Sequence, residues 1–131
     1  MILTVTQRAF LEEVYYAVVG TLNPDGTIQQ TVVWYLLEDD TIRFSLGSRS
    51  IKARNLRLNP TITLTVEDRQ RYLTLKGLAT VGPANDDLRR RLAIRYRGSD
   101  QAEAYLAMRP TTEAMASAHI TIVRVYGQGV K

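Results

Sequence analysis

The fold and the candidate site both depend on the stretch Thr41–Val66, with the sequence TIRFSLGSRSIKARNLRLNPTITLTV. Residues 41–46 alternate apolar and polar side chains, which predicts a β-strand. A Gly-Ser pair interrupts this pattern, and Ser50 (or Ser48) is suited to cap a short helix over residues 51–58. An Asn-Pro pair then ends the helix, because the residue before proline disfavours helical backbone. The stretch therefore predicts a strand, a turn, a short helix and a second strand.

The same stretch concentrates positive charge and contains no Asp or Glu. Lys52 and Arg54 fall in the first turn of the predicted helix, where backbone N–H groups lack intrahelical partners and the helix dipole favours anions. A cation at this position can add a charge-assisted hydrogen bond to a phosphate. This predicts an anion site, while a solvated basic helix that binds nothing remains an equal alternative. The five cations of the stretch are Arg43, Arg49, Lys52, Arg54 and Arg57.

Length and composition are typical of one soluble domain. The chain has 131 residues, and no apolar run approaches the roughly 20 residues of a membrane span. It contains no cysteine, which excludes disulfides and thiolate metal sites and favours a cytoplasmic protein, and no signal peptide is evident. The formal net charge of +4 comes from arginines and suggests an anionic small ligand or nucleic acid. We expect a single domain over residues 1–131.

The rest of the chain is dominated by short alternating segments joined by tight turns, among them an Asn-Pro-Asp-Gly turn suited to a hairpin. The predicted strands are residues 15–22, 28–37, 41–46, 62–66, 72–81 and 120–126, the first three forming a meander. Additional helices are predicted over residues 7–14 with Thr6 as N-cap, from Asn85 or Asp86 to 96, and over 101–108. A mainly β chain of this length usually closes a barrel to remove its sheet edges. We therefore expect six antiparallel strands with peripheral helices.

The order of these motifs resembles a known family. A strand is followed by NPDG, by a second strand with VVW, and then by FSLGSRS, KARNL, NP and RYLTLKGLATV. This order is similar to that of the pyridoxamine 5'-phosphate oxidase-like, flavin-binding split barrels. More narrowly, the chain is similar to the small flavin/deazaflavin oxidoreductases that use coenzyme F420. The similarity covers residues 6–81 and the closing RVYGQGV segment, and the K-x-R-N-L…N-P run is its most specific part.

The resemblance implies a homodimer with two cofactor sites in grooves between the subunits. The lysine that binds the cofactor phosphate corresponds to Lys52, flanked by Ser50, Arg54 and, as a weaker candidate, Asn55. The resemblance also implies that the cofactor's polar chain contacts Ser45 and that Tyr72 faces the cofactor. The strand segment expected to lie along the deazaflavin or flavin ring is Val32, Val33 and Trp34.

Two departures from the vitamin B6 oxidases narrow the expected chemistry. Those enzymes resemble this chain but carry basic side chains at both ends of the second strand, where this chain has Gln29 and Trp34. They also carry a basic substrate-binding segment near the C-terminus, which has no counterpart in this chain. Oxidation of pyridoxamine phosphate is therefore not expected. The loss of these cations also makes FMN a less favoured cofactor than the deazaflavin F420.

The function expected from the resemblance is an F420-dependent reductase that transfers a hydride to a small unsaturated substrate. The cofactor carries the chemistry, so we assign no catalytic side chain and no metal ligand. Alternatives are an FMN-dependent oxidoreductase and a cofactor-binding protein without turnover. Nucleic-acid binding is disfavoured, because the basic stretch lacks the repeated exposed aromatic residues that single-strand platforms use, and no membrane partner is expected.

Several conspicuous residues keep more than one interpretation. Trp34 is suited equally to the core and to stacking on the cofactor. His119, the single histidine, has no visible carboxylate or nucleophile as partner. The arginines of residues 89–97 form either a solvated helix face or a surface that holds an acidic group, such as the polyglutamate of F420.

Overall fold

One antiparallel β-sheet forms the frame of the protein, in a computed structural model that describes residues 2–131. Within these residues the strands are β1 (Ala17–Leu22), β2 (Ile28–Val33), β3 (Leu36–Glu38), β4 (Thr41–Gly47), β5 (Thr61–Asp68), β6 (Arg71–Pro83) and β7 (Met115–Gln128). The helices are α1 (Val5–Glu12), α2 (Ile51–Leu58), α3 (Asp86–Arg97) and α4 (Ser99–Met108). The predicted mainly β fold with peripheral helices is confirmed. No helix in the described part is long and apolar enough to span a membrane.

The order of the strands forces the sheet to curl into a barrel. That order is β2-β1-β5-β6-β7-β4-β3, yet the two edge strands, β2 and β3, are separated in the chain only by Trp34 and Tyr35. In a flat sheet these edges would lie roughly 29 Å apart, whereas the link from Val33 to Leu36 spans at most about 11 Å. The edges must therefore lie close together. Within the described residues no ladder joins β2 to β3, so the barrel stays split along this seam.

The prediction of one continuous strand over residues 28–37 is wrong. The chain leaves the sheet at Tyr35, whose hydroxyl donates to Leu11 O (2.7 Å) and whose N–H donates to Tyr96 Oη (3.2 Å). Beyond this point the chain continues at the opposite edge, where β3 pairs with β4. The expected meander is thus replaced by two hairpins at opposite edges, and the sheet formed by the described residues has seven strands in place of six.

Alternate residues of the strands fill the inside of the barrel. On β6 the side chains of Leu73 and Leu75 are buried and that of Lys76 is exposed, as the alternating pattern predicts. Gly77 continues the inward face at a shift in the register with β7. A Cβ at this position would lie 2.3 Å from the backbone oxygen of Thr121, so only glycine allows the two strands to approach this closely.

The helix caps agree with the sequence in two cases and differ in one. Ser50 caps α2 and Asn85 caps α3, each accepting a hydrogen bond from the third residue of its helix. The first helix begins two residues earlier than predicted, because Thr4, and not Thr6, forms a reciprocal capping box with Gln7. The last helix and the last strand also begin earlier than expected, at Ser99 and Met115.

Candidate functional site

The turn between β4 and α2 presents the N-terminus of α2 to solvent. Ser50 Oγ donates to Gly47 O (2.7 Å) and accepts a hydrogen bond from Ala53 N–H (3.2 Å). The first intrahelical backbone bond runs from Arg54 N–H to Ser50 O, so the N–H groups of Ile51 and Lys52 have no partner inside the helix. These N–H groups can bind an anion, while the hydroxyl of Ser50 is used to build the turn.

Lys52 is a half-buried cation without a neighbouring carboxylate. Burial lowers the pKa of its ammonium group, because a charged group loses hydration in a less polar environment. Among the described residues, no Asp or Glu oxygen lies within salt-bridge distance of its Nζ. A bound anion at the adjacent helix N-terminus would supply the missing negative charge.

Lys52 lines a small pocket together with residues from distant parts of the chain. The pocket has a volume of about 260 Å³. Its lining residues are Val32, Val33, Trp34, Ser45, Lys52, Leu92 and Tyr105. Five of the nine candidate residues from the sequence therefore come together, although they belong to β2, β4, α2 and the β2–β3 link.

One wall of this pocket is the free edge of the sheet. β2 pairs with β1 on one side, and no other strand of the described residues pairs with its second side. An edge strand leaves alternate backbone N–H and C=O groups without partners. The exposed Val32 side chain adds apolar surface beside these groups. This combination suits a flat heterocycle that carries both polar edge atoms and an apolar face.

The ring of Trp34 forms part of the pocket wall and is already packed within the protein. It stacks on Tyr96 with ring centroids 4.9 Å apart and an interplanar angle of 6°, and Tyr105 lies 5.4 Å away. The guanidinium carbon of Arg97 lies over the same ring at 5.4 Å. Trp34 is half-buried, so its ring shapes the cavity and offers little free surface for stacking on a ligand.

Asn55 has a structural position that differs from the ligand role expected of it. Its side chain is buried, and its amide nitrogen donates to Thr21 Oγ1 (3.1 Å) and to Asn23 Oδ1 (2.9 Å). These bonds connect α2 to β1 and to the turn of the β1–β2 hairpin. Asn55 is not among the residues that line the pocket, because its amide nitrogen bonds to β1 and to this turn.

Three other candidates also lie outside the pocket wall of the single chain. Ser50 is engaged in the cap, and Arg54 is exposed two residues after Lys52, a spacing that places the two side chains on different sides of the helix. Tyr72 is half-buried on β6, opposite Glu67 of β5 and Gln128 of β7. For these residues, contact with a cofactor stays a prediction.

The α3–α4 hairpin supplies pocket residues that the sequence did not predict, namely Leu92 and Tyr105. Arg91 anchors α3 by pairing with Glu38 and holds the pKa of that carboxyl below its usual value. Arg95 donates to the last carbonyl groups of α1, including Leu11 O at 3.1 Å. The apolar stripe of α3 indicates an amphipathic helix, but nothing local in the sequence shows that it folds against the β2–β4 side.

The arginines of residues 89–97 are mostly engaged inside the protein. Besides Arg91 and Arg95, Arg90 pairs with Glu103, and Arg89 donates to Thr111 Oγ1 and to a backbone oxygen. Arg97 differs, because among residues 2–131 its guanidinium group has no carboxylate partner and lies over the rings of Trp34 and Tyr105. His119 lies on the exposed face of β7, between Arg43 and Thr80 of the neighbouring strands, outside the pocket.

The protein is a split barrel with a pocket at its seam, and a comparison of sequences gives its family. The profile of the pyridoxamine 5'-phosphate oxidase family matches residues 3–129, which is nearly the whole chain. The chain belongs to this family. The family includes flavin-binding oxidoreductases. No curated protein matches the sequence.

Solved structures show the same fold at low sequence identity. A conserved hypothetical protein of Mycobacterium tuberculosis superposes with a TM-score of 0.76 at 21% identity, over 97% of this chain and 85% of that one. An F420 reductase superposes with a TM-score of 0.71 at 24% identity, over 91% and 94%. For a putative pyridoxamine 5'-phosphate oxidase of Listeria innocua the TM-score is 0.71 at 14% identity, over 92% and 94%. These similarities establish the fold and leave the cofactor open.

Proposed function

We propose that the protein is an oxidoreductase that binds coenzyme F420 at the seam of the barrel and transfers a hydride from the reduced deazaflavin to a small unsaturated substrate. One observation carries this proposal: Lys52, Ser45 and the free edge of β2 line the same pocket. A cation, a hydroxyl and an apolar edge with unpaired backbone groups match a ligand that combines a phosphate, a polar chain and a flat ring.

The residues present fit such a cofactor part by part. The N-terminus of α2 and the Lys52 ammonium group would hold the phosphate, since both provide positive charge without an internal counter-charge. Ser45, which ends the polar side of β4, would hold the polar chain, and the backbone of Val32–Trp34 would provide hydrogen-bonding groups for the ring. When bound, the cofactor supplies the hydride.

The protein's own contribution is binding, orientation and exclusion of water. Val33, Leu92 and Tyr105 give the pocket an apolar wall, which strengthens electrostatic contacts by keeping water out. None of the described residues that line the pocket is an Asp, Glu or His, and we assign no general acid or base. The rate enhancement then comes from holding the ring and substrate in contact.

A homodimer completes the site in this proposal. A cavity of about 260 Å³ is smaller than the roughly 300–1,000 Å³ of typical cofactor sites, so part of the ligand must extend outside it. Val32 also lines an open groove of about 500 Å³ on the outer face of β1, β2 and β5, beside Tyr16, Val18 and Tyr96. A second copy packed on this apolar face would close the groove and give the cofactor a second wall.

Coenzyme F420 is preferred to FMN because of two side chains. Gln29 and Trp34 stand where the similar vitamin B6 oxidases carry cations for FMN, and the Trp34 ring is packed against Tyr96. The F420 reductase among the structures of the same fold is consistent with this preference. FMN in the same pocket is the alternative, and a cofactor-binding protein without turnover is the second.

Separate titrations of the purified protein with each cofactor distinguish these possibilities. Cofactor-free protein is titrated with F420 and with FMN, following quenching of Trp34, the single tryptophan, with equilibrium dialysis as a check. We expect micromolar or tighter binding of F420 and weaker binding of FMN. Stoichiometric FMN in protein isolated from cells would establish the alternative. Consumption of reduced F420 with unsaturated acceptors, compared with the protein-free rate, tests for turnover.

A further inference from the structure

Two arginines without carboxylate partners lie against the aromatic wall of the pocket. The guanidinium carbon of Arg97 lies over the Trp34 ring at 5.4 Å and over the Tyr105 ring at 5.1 Å. That of Arg109 lies over the Tyr105 ring at 4.3 Å. Both arginines are exposed and lie outside the cavity lining, in contact with the rings of two lining residues, Trp34 and Tyr105.

No carboxylate group of the described residues neutralises the charge of either arginine. Throughout residues 2–131, neither guanidinium group has an acidic oxygen within salt-bridge distance or donates a hydrogen bond. Arg90 and Arg91 on the same hairpin both have carboxylate partners. A guanidinium group that rests on an aromatic ring keeps its N–H edge free for bidentate binding of a carboxylate.

We propose that Arg97 and Arg109 form a subsite for a carboxylate group of the substrate at the α3–α4 side of the pocket. This rests on the proposed function, which gives the phosphate to Lys52 and the cofactor ring to β2. The substrate then lies between the ring and the α3–α4 hairpin, with its apolar part against Leu92 and Tyr105. The substrate class is therefore a small unsaturated carboxylic acid.

The two arginines lie at corresponding positions, at the C-terminal ends of the two helices of the hairpin. Arg97 is the last residue of α3, and Arg109 follows the last residue of α4. The helix dipole favours cations at helix C-termini. This explains why arginines occur at these two positions, but it does not explain why both contact the same ring. Both guanidinium groups lie over the Tyr105 ring, whose own hydroxyl has no hydrogen-bond partner among residues 2–131.

The test uses the cofactor-free protein, so that it does not depend on the identity of the cofactor. trans-2-Hexenoate and its neutral analogue trans-2-hexenamide are titrated at constant ionic strength, following Trp34 fluorescence. We expect the acid to bind more tightly than the amide. In Arg97→Gln, and separately in Arg109→Gln, the affinity for the acid should fall about three- to tenfold while that for the amide stays unchanged. Arg90→Gln removes the same charge from α3 and should leave both affinities unchanged.

Three outcomes would overturn the proposal. Equal binding of acid and amide excludes a carboxylate subsite. Full affinity in Arg97→Lys shows that only diffuse positive charge matters, because lysine lacks the planar fork. If Arg97→Gln lowers the affinity for F420 as much as it lowers the affinity for trans-2-hexenoate, the arginines bind an acidic part of the cofactor instead. Failure of the protein to bind F420 or FMN, with the acid still bound through Arg97, would refute the proposed function and leave the subsite standing.

Discussion

Lys52 is the residue on which the proposed cofactor site depends most. Replacing it with alanine removes one charge-assisted contact to the phosphate, and such contacts contribute about 1.5–3 kcal/mol when desolvated. Lys52 is only half-buried, so solvent screening places the expected loss near the lower value, about tenfold in F420 affinity. Equilibrium dialysis at two salt concentrations measures it, and added salt should weaken the wild type more than Lys52→Ala.

The control for this substitution must lie outside the β4–α2 turn. Arg57 is on the same helix, but it donates to Ser48 O (2.6 Å) and to Ser48 Oγ (3.2 Å), so its removal would loosen the site itself. Arg90→Ala removes an equal charge from an exposed pair with Glu103 and should leave cofactor affinity unchanged. Wild-type affinity in Lys52→Ala would refute the assigned phosphate site.

Asn55 and Arg54 are neighbours in sequence, but we predict that only the substitution of Asn55 lowers the stability of the protein. Asn55→Ala leaves the buried Thr21 hydroxyl and the side-chain Oδ1 of Asn23 without the amide nitrogen that now contacts both, which should cost about 1–3 kcal/mol of unfolding free energy. Arg54→Ala removes an exposed side chain and should change stability by less than about 0.5 kcal/mol. Urea unfolding of both variants measures the difference. Equal stabilities would show that the buried amide does not hold the hairpin turn.

At the scale of elements, the alternation of apolar and polar residues predicted most strands and the inward face of β6. The limits of α2 and its cap at Ser50 also followed from the sequence, because local hydrogen bonds decide them. The break between β2 and β3 did not. The residues VVWYLL contain no glycine or proline, and the chain turns inward there because Tyr35 bonds to Leu11 and Tyr96, which are distant in sequence.

The packing of the α3–α4 hairpin could not be predicted from local sequence either, because it also depends on contacts between residues distant in the chain. Tyr96 Oη donates to Tyr15 O (2.6 Å) and accepts a hydrogen bond from Tyr35 N–H (3.2 Å), so one hydroxyl joins α3 to the segment before β1 and to the link between β2 and β3. No local pattern distinguishes this tyrosine from Tyr105, whose hydroxyl has no hydrogen-bond partner within the described residues. Pocket residues contributed by the hairpin were therefore missed, whereas those on the strands and on α2 were found.

The Tyr96 hydroxyl gives a direct test of how the seam is held. Tyr96→Phe keeps the ring that stacks on Trp34 but leaves Tyr35 N–H without its partner, which should lower the unfolding free energy by about 1–3 kcal/mol. Tyr105→Phe is the matched control and should leave stability unchanged. Both are measured by urea unfolding followed through Trp34 fluorescence. Identical midpoints for the two variants would show that the hydroxyl does not fix the link between β2 and β3.

At the scale of the whole molecule, the strand order explains why the pocket lies where it does. The chain crosses between the two edges of the sheet at Trp34 and Tyr35, and the seam left by this crossing exposes the second side of β2. The turn into α2 and the α3–α4 hairpin both border the same seam, since Lys52 and Leu92 line one pocket. The sequence predicted the barrel and its basic helix, but the meeting of these parts depends on contacts between residues far apart in the chain.

The exposed apolar face of the barrel leads to the last prediction, that the protein is a homodimer whose association is required for cofactor binding. Val18 lies on this face and is 38% exposed in the single chain. Val18→Glu should therefore leave the protomer folded, but it would bury an unpaired carboxylate in the dimer, at a cost of several kcal/mol. Light-scattering mass should change from dimer to monomer, and F420 affinity should fall with it.

Val5→Glu tests whether the position of the new charge matters. Val5 is 80% exposed on α1, away from the residues that line the outer groove. An added carboxylate there stays hydrated, so this variant should remain dimeric and bind the cofactor like the wild type. A wild-type protein that is monomeric at micromolar concentration and still binds F420 would contradict the shared site, because a monomer would then hold the ligand in a pocket of about 260 Å³.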